Sequence, residues 1–164
     1  MDKLLISERK AHVYLDTSVI SYLDQEDSPE KMAETIEVWE ILKRGVYDIF
    51  ISTRVLDELN KCKEPKRTKL FSKLEEIHYT LLPIDDEVVK LANKFIEAGI
   101  LKRKSVDDCQ HIAAAILANC DIIVSWNFKH IFNYKTIRGV RSITVLDGYK
   151  DIWIYPPTAL FEEV

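Results

Sequence analysis

Short, nearly uninterrupted apolar runs alternate along this chain with longer stretches of helical periodicity. The runs at 12–15 (HVYL), 48–52 (DIFIS), 79–84 (YTLLPI), 121–125 (DIIVS) and 143–146 (ITVL) read as five strands, with a short edge piece at 152–155. Helices are predicted at 29–43, 54–61, 65–77, 86–97 and 107–119. A strand that is apolar at almost every position must be covered on both faces, and the intervening helices supply the cover. The predicted class is therefore α/β with a parallel sheet. Ligands of such sheets sit at the carboxyl ends of the strands, so chemistry is sought there.

One domain over residues 1–164 is expected, with its core at about 11–150. The sequence has no internal repeat, and 4 Gly and 5 Pro leave little room for flexible linkers. Cys62, Cys109 and Cys120 are an odd count, and two of them lie in apolar runs. Reduced, buried thiols fit that pattern better than a disulfide framework. No Cys/His pair has zinc-site spacing. The opening MDKLLISERK has no apolar segment long enough for a secretion signal, and the run 112–118 is too short to span a bilayer. A cytoplasmic protein with no membrane partner is the expectation. The net charge of −4 argues mildly against a nucleic-acid binder. It leaves open an acidic pocket whose metal ions supply the charge that a phosphate needs.

Three carboxylates and one amide fall beside the strand ends. Asp16 closes the first strand and is followed by Thr17 and Ser18. A helix cap explains it equally well, because all three residue types cap. A phosphatase of the haloacid dehalogenase type also ends its first strand on an Asp. It needs a second Asp two residues on, where this chain has Ser18, so that class is discounted. Glu58 borders the apolar face made by Val55, Leu56, Leu59 and Cys62, while Asp57 points away. It either leans out to water or finds a partner. Asp108 shares a stripe with Ile112 and Ala115, and Asp107 turns from it. Ser105 with Asp108 matches a capping box, which accounts for an acid at that position but not for its place on the buried stripe. Ser125 and Asn127 follow the fourth strand, in a turn that favours both types.

The segments LDTSVISYL, VLDEL, DDCQHIAAA and DIIVSWNFKHI, in that order and spacing, resemble the PIN-domain nucleases, and most of all the single-domain VapC-like toxins. The resemblance implies a three-layer α/β/α sandwich with a parallel sheet of strand order 3-2-1-4-5. It carries the first three acids of the family onto Asp16, Glu58 and Asp108. Many members have a fourth acid where this chain has Asn127; Asp107 is a candidate to compensate. The implied activity is hydrolysis of RNA phosphodiesters with Mg²⁺ or Mn²⁺ bound by Asp16, Glu58 and Asp108. Implied partners are RNA, a small antitoxin protein and a second copy in a homodimer.

On that reading Ser18, Ser125 and Asn127 hold waters or phosphate oxygens, and His111 and His130 are structural. Lys102, Arg103 and Lys104, just ahead of the Asp108 helix, are the better candidates to touch RNA phosphates. Lys61, Lys63, Lys66, Arg67 and Lys69 form a second basic group that reads as a solvated face. The apolar residues Val19, Ile20, Tyr22, Leu23, Met32, Ile36, Trp39 and Leu42 exceed the obvious needs of one sheet face, so part of that surface is expected to bind an antitoxin segment or a second subunit. Two other functions compete. One is a catalytically impaired PIN-like module that binds RNA or protein. The other is a DNA-directed nuclease of related fold, for which the chain is short.

Overall fold

The computed structural model describes residues 9–161. Its strands are β1 (His12–Leu15), β2 (Asp48–Ser52), β3 (Tyr79–Leu82), β4 (Ile122–Val124) and β5 (Trp153–Tyr155). All pair in parallel, in the order β3-β2-β1-β4-β5. The helices are α1 (Thr17–Ser21), α2 (Pro29–Lys43), α3 (Thr53–Asn60), α4 (Lys66–Leu74), α5 (Asp86–Glu97), α6 (Val106–Leu117) and α7 (Tyr134–Asp147). The expected α/β layering and strand order both hold.

Alternation along the central strand divides the core in two. Val13 and Leu15 face one layer, packed with Val19 of α1, Trp39 of α2, Val55 of α3 and Leu70 of α4. Tyr14 faces the other, with Leu91 and Phe95 of α5 and Ile112 and Ile116 of α6. Each such fully buried side chain contributes about 1.5–3 kcal/mol. Every residue of α6 from Cys109 to Ile116 is buried, and its three consecutive alanines at 113–115 give the helix a narrow waist among its neighbours. The third strand stops at Leu82, one residue before Pro83, which has no N–H for a ladder.

One expectation is corrected. Residues 143–146 are not a strand; they lie in α7, and the fifth strand is the segment foreseen only as an edge piece. The Ile, Thr and Val of that run favour strands, but local signals favour the helix. Asn133 caps it by accepting from Thr136 N at 2.9 Å, and Gly148 ends it in the left-handed conformation at φ 75°. The apolar surplus of the first helices is mostly core. Val19, Ile20, Leu23, Trp39 and Leu42 are buried, partly because the turn Pro157–Phe161 seats Leu160 in the same layer. Only Ile36 of that set is exposed, at 43%. Among the described residues no helix is long and apolar enough to cross a membrane.

Candidate active site

The carboxyl ends of β1, β2 and β4 meet the starts of α1, α3 and α6, and the sequence-selected polar residues gather there. Asp16 leaves β1 in extended conformation and caps α1. One oxygen, Oδ1, accepts from Ser18 N at 3.1 Å and Ser18 Oγ at 2.5 Å; the other, Oδ2, accepts from Ser125 Oγ at 2.8 Å. The cap and the site are thus the same residue. Only 4% of Asp16 is exposed, so burial pushes its carboxyl above the usual range. The charge of His111 and the Ser18 and Ser125 hydrogen bonds oppose that rise, and Glu58 adds to it.

Ser18 and Ser125, expected to hold waters or phosphate oxygens, bond to protein groups on both sides. Their hydroxyls donate to Asp16, while Ser18 Oγ accepts from Trp126 N and Ser125 Oγ accepts from Asn127 N, both at 2.9 Å. These bonds tie the turn after β4 to the turn after β1. They leave Asn127 facing α6, where its Nδ2 donates to Asp108 Oδ1 at 3.1 Å and its Oδ1 accepts from His130 N at 2.9 Å.

Asp108 sits in the first turn of α6, half-buried. The capping-box reading does not hold, because Ser105 makes no side-chain cap bond. Burial pushes the Asp108 carboxyl up to about 6; His111 works against this, and Asp16, Glu58 and Asp107 work with it. Asp107, the candidate to compensate for a fourth acid, meets an arginine. Its carboxylate lies 3.7 Å from Arg54 Nε, on the flank where Arg54 also donates to Gln110 Oε1. Asp57 is exposed as expected and pairs with the same arginine at 3.8 Å.

Glu58 meets a partner that the sequence reading assigned a different role. His111 Nε2 donates to Glu58 Oε1 at 2.5 Å, and Thr17 Oγ1 donates to the same oxygen at 3.0 Å. Burial acts to raise the Glu58 carboxyl, but the His111 hydrogen bond and charge, with Thr17 and Arg54, hold it below the usual range. His111 is 2% exposed, and its Nδ1 lies 2.7 Å from the Tyr14 hydroxyl, which in turn meets Ser52 Oγ at 2.8 Å. Burial alone would lower the imidazole. The bond to Glu58 and the charges of Glu58, Asp16 and Asp108 outweigh that and raise it. His111 is therefore part of the acid cluster. Its signal was the i, i+3 spacing from Asp108, which puts both on one helix face.

Lys102, Arg103 and Lys104 are exposed around the turn that leads into α6. Beside the acids, Lys31 Nζ lies 5.1–5.8 Å from the ring centres of Tyr22, Trp126 and Phe128. Trp126 is fixed beneath them by donating Nε1 to Thr35 Oγ1 at 2.8 Å. Among the described residues, no three His, Cys, Asp or Glu side chains stand in an arrangement ready to hold one metal ion together. Glu58 is engaged by His111 and Thr17 instead.

No curated protein matches the chain. Solved structures similar to it include VapBC2 from Rickettsia felis bound to a DNA fragment from its promoter, at 16% identity and a TM-score of 0.49, covering 87% of this chain and 96% of that one. VapBC-5 from Mycobacterium tuberculosis, a member of the VapBC family of toxin–antitoxin systems, is similar at 18% identity and a TM-score of 0.48, covering 89% and 98%. The family model described as PIN domain matches residues 13–129. That match begins in β1, ends just beyond Asn127 and takes in Asp16, Glu58 and Asp108, so the chain belongs to the PIN domain family.

Proposed function

We propose that the protein is a divalent-metal-dependent endoribonuclease, acting in the cytoplasm as the toxin of a toxin–antitoxin pair. What supports the nuclease reading is that Asp16, Glu58 and Asp108 stand on α1, α3 and α6 or their caps, on the side where the carboxyl ends of β1, β2 and β4 lie. They lie close enough that the charges of Asp16 and Glu58 raise the Asp108 carboxyl. Family membership supports the same reading. The toxin assignment rests on the resemblance of DDCQHIAAA and DIIVSWNFKHI, and an antitoxin and a homodimer come with it.

The donor set fits Mg²⁺ or Mn²⁺ in kind, being carboxylates without thiols. Asp16 and Asp108 would hold the ion, with Glu58 as the third acid. A bound ion supplies positive charge against the reacting phosphate and makes water a better nucleophile near neutral pH. The chain's own residues prepare the site for that chemistry. Ser18 and Ser125 fix the direction of the Asp16 carboxylate, and Asn127 fixes that of Asp108. Lys102, Arg103 and Lys104 hold the strand by its phosphates.

Purified protein should cut an RNA pool with Mn²⁺ and not with EDTA. Asp108→Asn should slow the cut by on the order of a hundredfold or more. Metal binding has its own readout. At ten times its Kd, Mn²⁺ should stabilise the wild type by about 1.4 kcal/mol, or roughly 3–6 °C in melting temperature. Asp16→Asn keeps a good helix cap and should lose that rise. Growth arrest on induced expression, relieved by Asp108→Asn, tests the toxin reading, and light scattering tests the dimer. A second reading, a catalytically impaired binding module, draws on Asn127 standing where many relatives have an acid. Wild type that binds RNA but never cuts it with Mn²⁺ would favour that module.

A further inference from the structure

A cavity of about 240 Å³ opens beside the acid site, between the turn that starts α6 and the segment that joins β4 to α7. Lys102, Lys104, Lys129 and Lys135 line it together with His130 and Ser105, and no Asp or Glu is among its lining residues. None of the four lysines has a carboxylate within ion-pair distance among the described residues, whereas Lys43, Lys73, Lys94 and Lys150 all do. In a chain of net charge −4 this is a local concentration of unneutralised cations. The charges of Lys129 and Lys104 converge on His130 and, after burial, help hold its imidazole below the ordinary value.

The backbone points the same way. The cavity is lined by Ser105 and Asn133, the N-cap residues of α6 and α7, which have 12 and 14 residues. Two helix N-termini therefore present their partial positive charge to it. Ser105 is 5% exposed, yet its hydroxyl caps nothing and has no hydrogen-bond partner among the described residues. A hydroxyl without a partner at the wall of a cationic cavity is a donor available to an anion. The cavity is also tied to the acids by sequence. Ser105 lies three residues before Asp108, and Lys129 lies two after Asn127.

We infer that this cavity is a phosphate subsite, which holds a backbone phosphate of the RNA strand next to the one at the acids. The inference rests on the nuclease reading for its ligand, but not for the cavity's affinity for phosphate. Acids with their ion take the reacting phosphate; lysines and helix ends take its neighbour and set the strand's path. Lys129 and Lys135 thereby join the binding surface, and Arg103, which does not line the cavity, contributes less than Lys102 and Lys104.

The test uses full-length protein carrying Asp108→Asn, in EDTA, so that binding is read without cleavage. Fluorescence anisotropy with a labelled single-stranded RNA gives the Kd over a range of salt concentrations. Adding Lys104→Gln and Lys129→Gln should weaken binding at least tenfold. It should also lower the slope of log affinity against log salt by about 0.7 for each phosphate that is no longer neutralised. Lys61→Gln with Lys63→Gln, exposed and away from the cavity, should change neither value. All four lysines of the cavity are exposed, so thermal melts should match and exclude misfolding as the cause. An unchanged Kd and slope in the Lys104/Lys129 variant would overturn the subsite. Titration with inorganic phosphate is the second arm: phosphate binding lost in that variant while RNA binding is kept would overturn the assignment to a strand phosphate. A wild type that cuts no RNA, combined with the expected loss of RNA affinity, would sink the nuclease reading and leave the subsite standing.

Discussion

His111 Nε2 stands 2.5 Å from Glu58 Oε1, so a buried imidazole already engages one of the three acids of the site from within the fold. The other face of the ring is held by Tyr14, which reaches it from the central strand at 2.7 Å. A chain from Ser52 through Tyr14 and His111 to Glu58 thus links β2, β1, α6 and α3. Its members are buried or half-buried, where an unmade hydrogen bond is costly.

Tyr14→Phe tests that chain. The variant keeps the ring in the core and removes the hydroxyl, leaving His111 Nδ1 and Ser52 Oγ each without this partner. Urea unfolding of the metal-free protein should show a loss of about 1–3 kcal/mol. A loss below about 0.5 kcal/mol would mean that the hydroxyl does not hold the histidine in place.

Asp108 gives the metal-free protein a pH dependence of defined sign. Its carboxyl is raised from 3.8 to about 6, so between those values the folded state binds more protons than the unfolded one. Stability from this group is therefore lost as pH rises from about 4 to 6, and does not change further above. Asp108→Asn removes the effect. In EDTA the variant should gain on wild type across that window by on the order of 2 kcal/mol, and the gap should then stay level to pH 7. A gap that is flat from pH 4 to 7 would show that Asp108 titrates normally. Glu58, held low, and His111, held high, are present in both proteins and cancel to first order.

Asn127→Asp would install an acid where many relatives of the PIN family have one. The new side chain can still accept from His130 N, but it loses the donor to Asp108 and sets two like charges together. Metal-free stability should fall by about 1–3 kcal/mol near pH 7. Calorimetric titration should show Mn²⁺ binding more tightly, since an added carboxylate favours a hard divalent ion. Weaker Mn²⁺ binding in the variant would place position 127 outside the metal's reach.

Gly139, within α7, marks a tight contact. A Cβ there would meet three side-chain atoms of Ile100 at 2.6–2.9 Å, inside contact distance. Gly139→Ala gains about 1 kcal/mol of helix propensity in α7 against about 1–3 kcal/mol of overpacking. The expected net result is a lower melting temperature by a few degrees, read by circular dichroism. An unchanged or higher value would show that Ile100 moves aside freely.

The sequence alone determined what is decided within a few residues. Continuous apolar runs marked β1, β2 and β4, and helical periodicity marked α2, α5 and α6, because backbone geometry sets those repeats locally. The rule that ligands gather at the carboxyl ends of parallel strands then selected Asp16, and the strand order followed from the family resemblance. Local signals misled where two of them competed, as in the run 143–146, whose strand-forming residues lost to the Asn133 cap and the Gly148 stop. Tertiary structure alone decided which polar groups meet. His111 finds Glu58 across 53 residues and Tyr14 across 97, while Asp107 turns away to Arg54. The lysines of the phosphate cavity likewise come from two segments, at 102–104 and 129–135. No periodicity encodes such partnerships, because they depend on which strand ends the sheet order makes neighbours, and burial then makes each pairing matter.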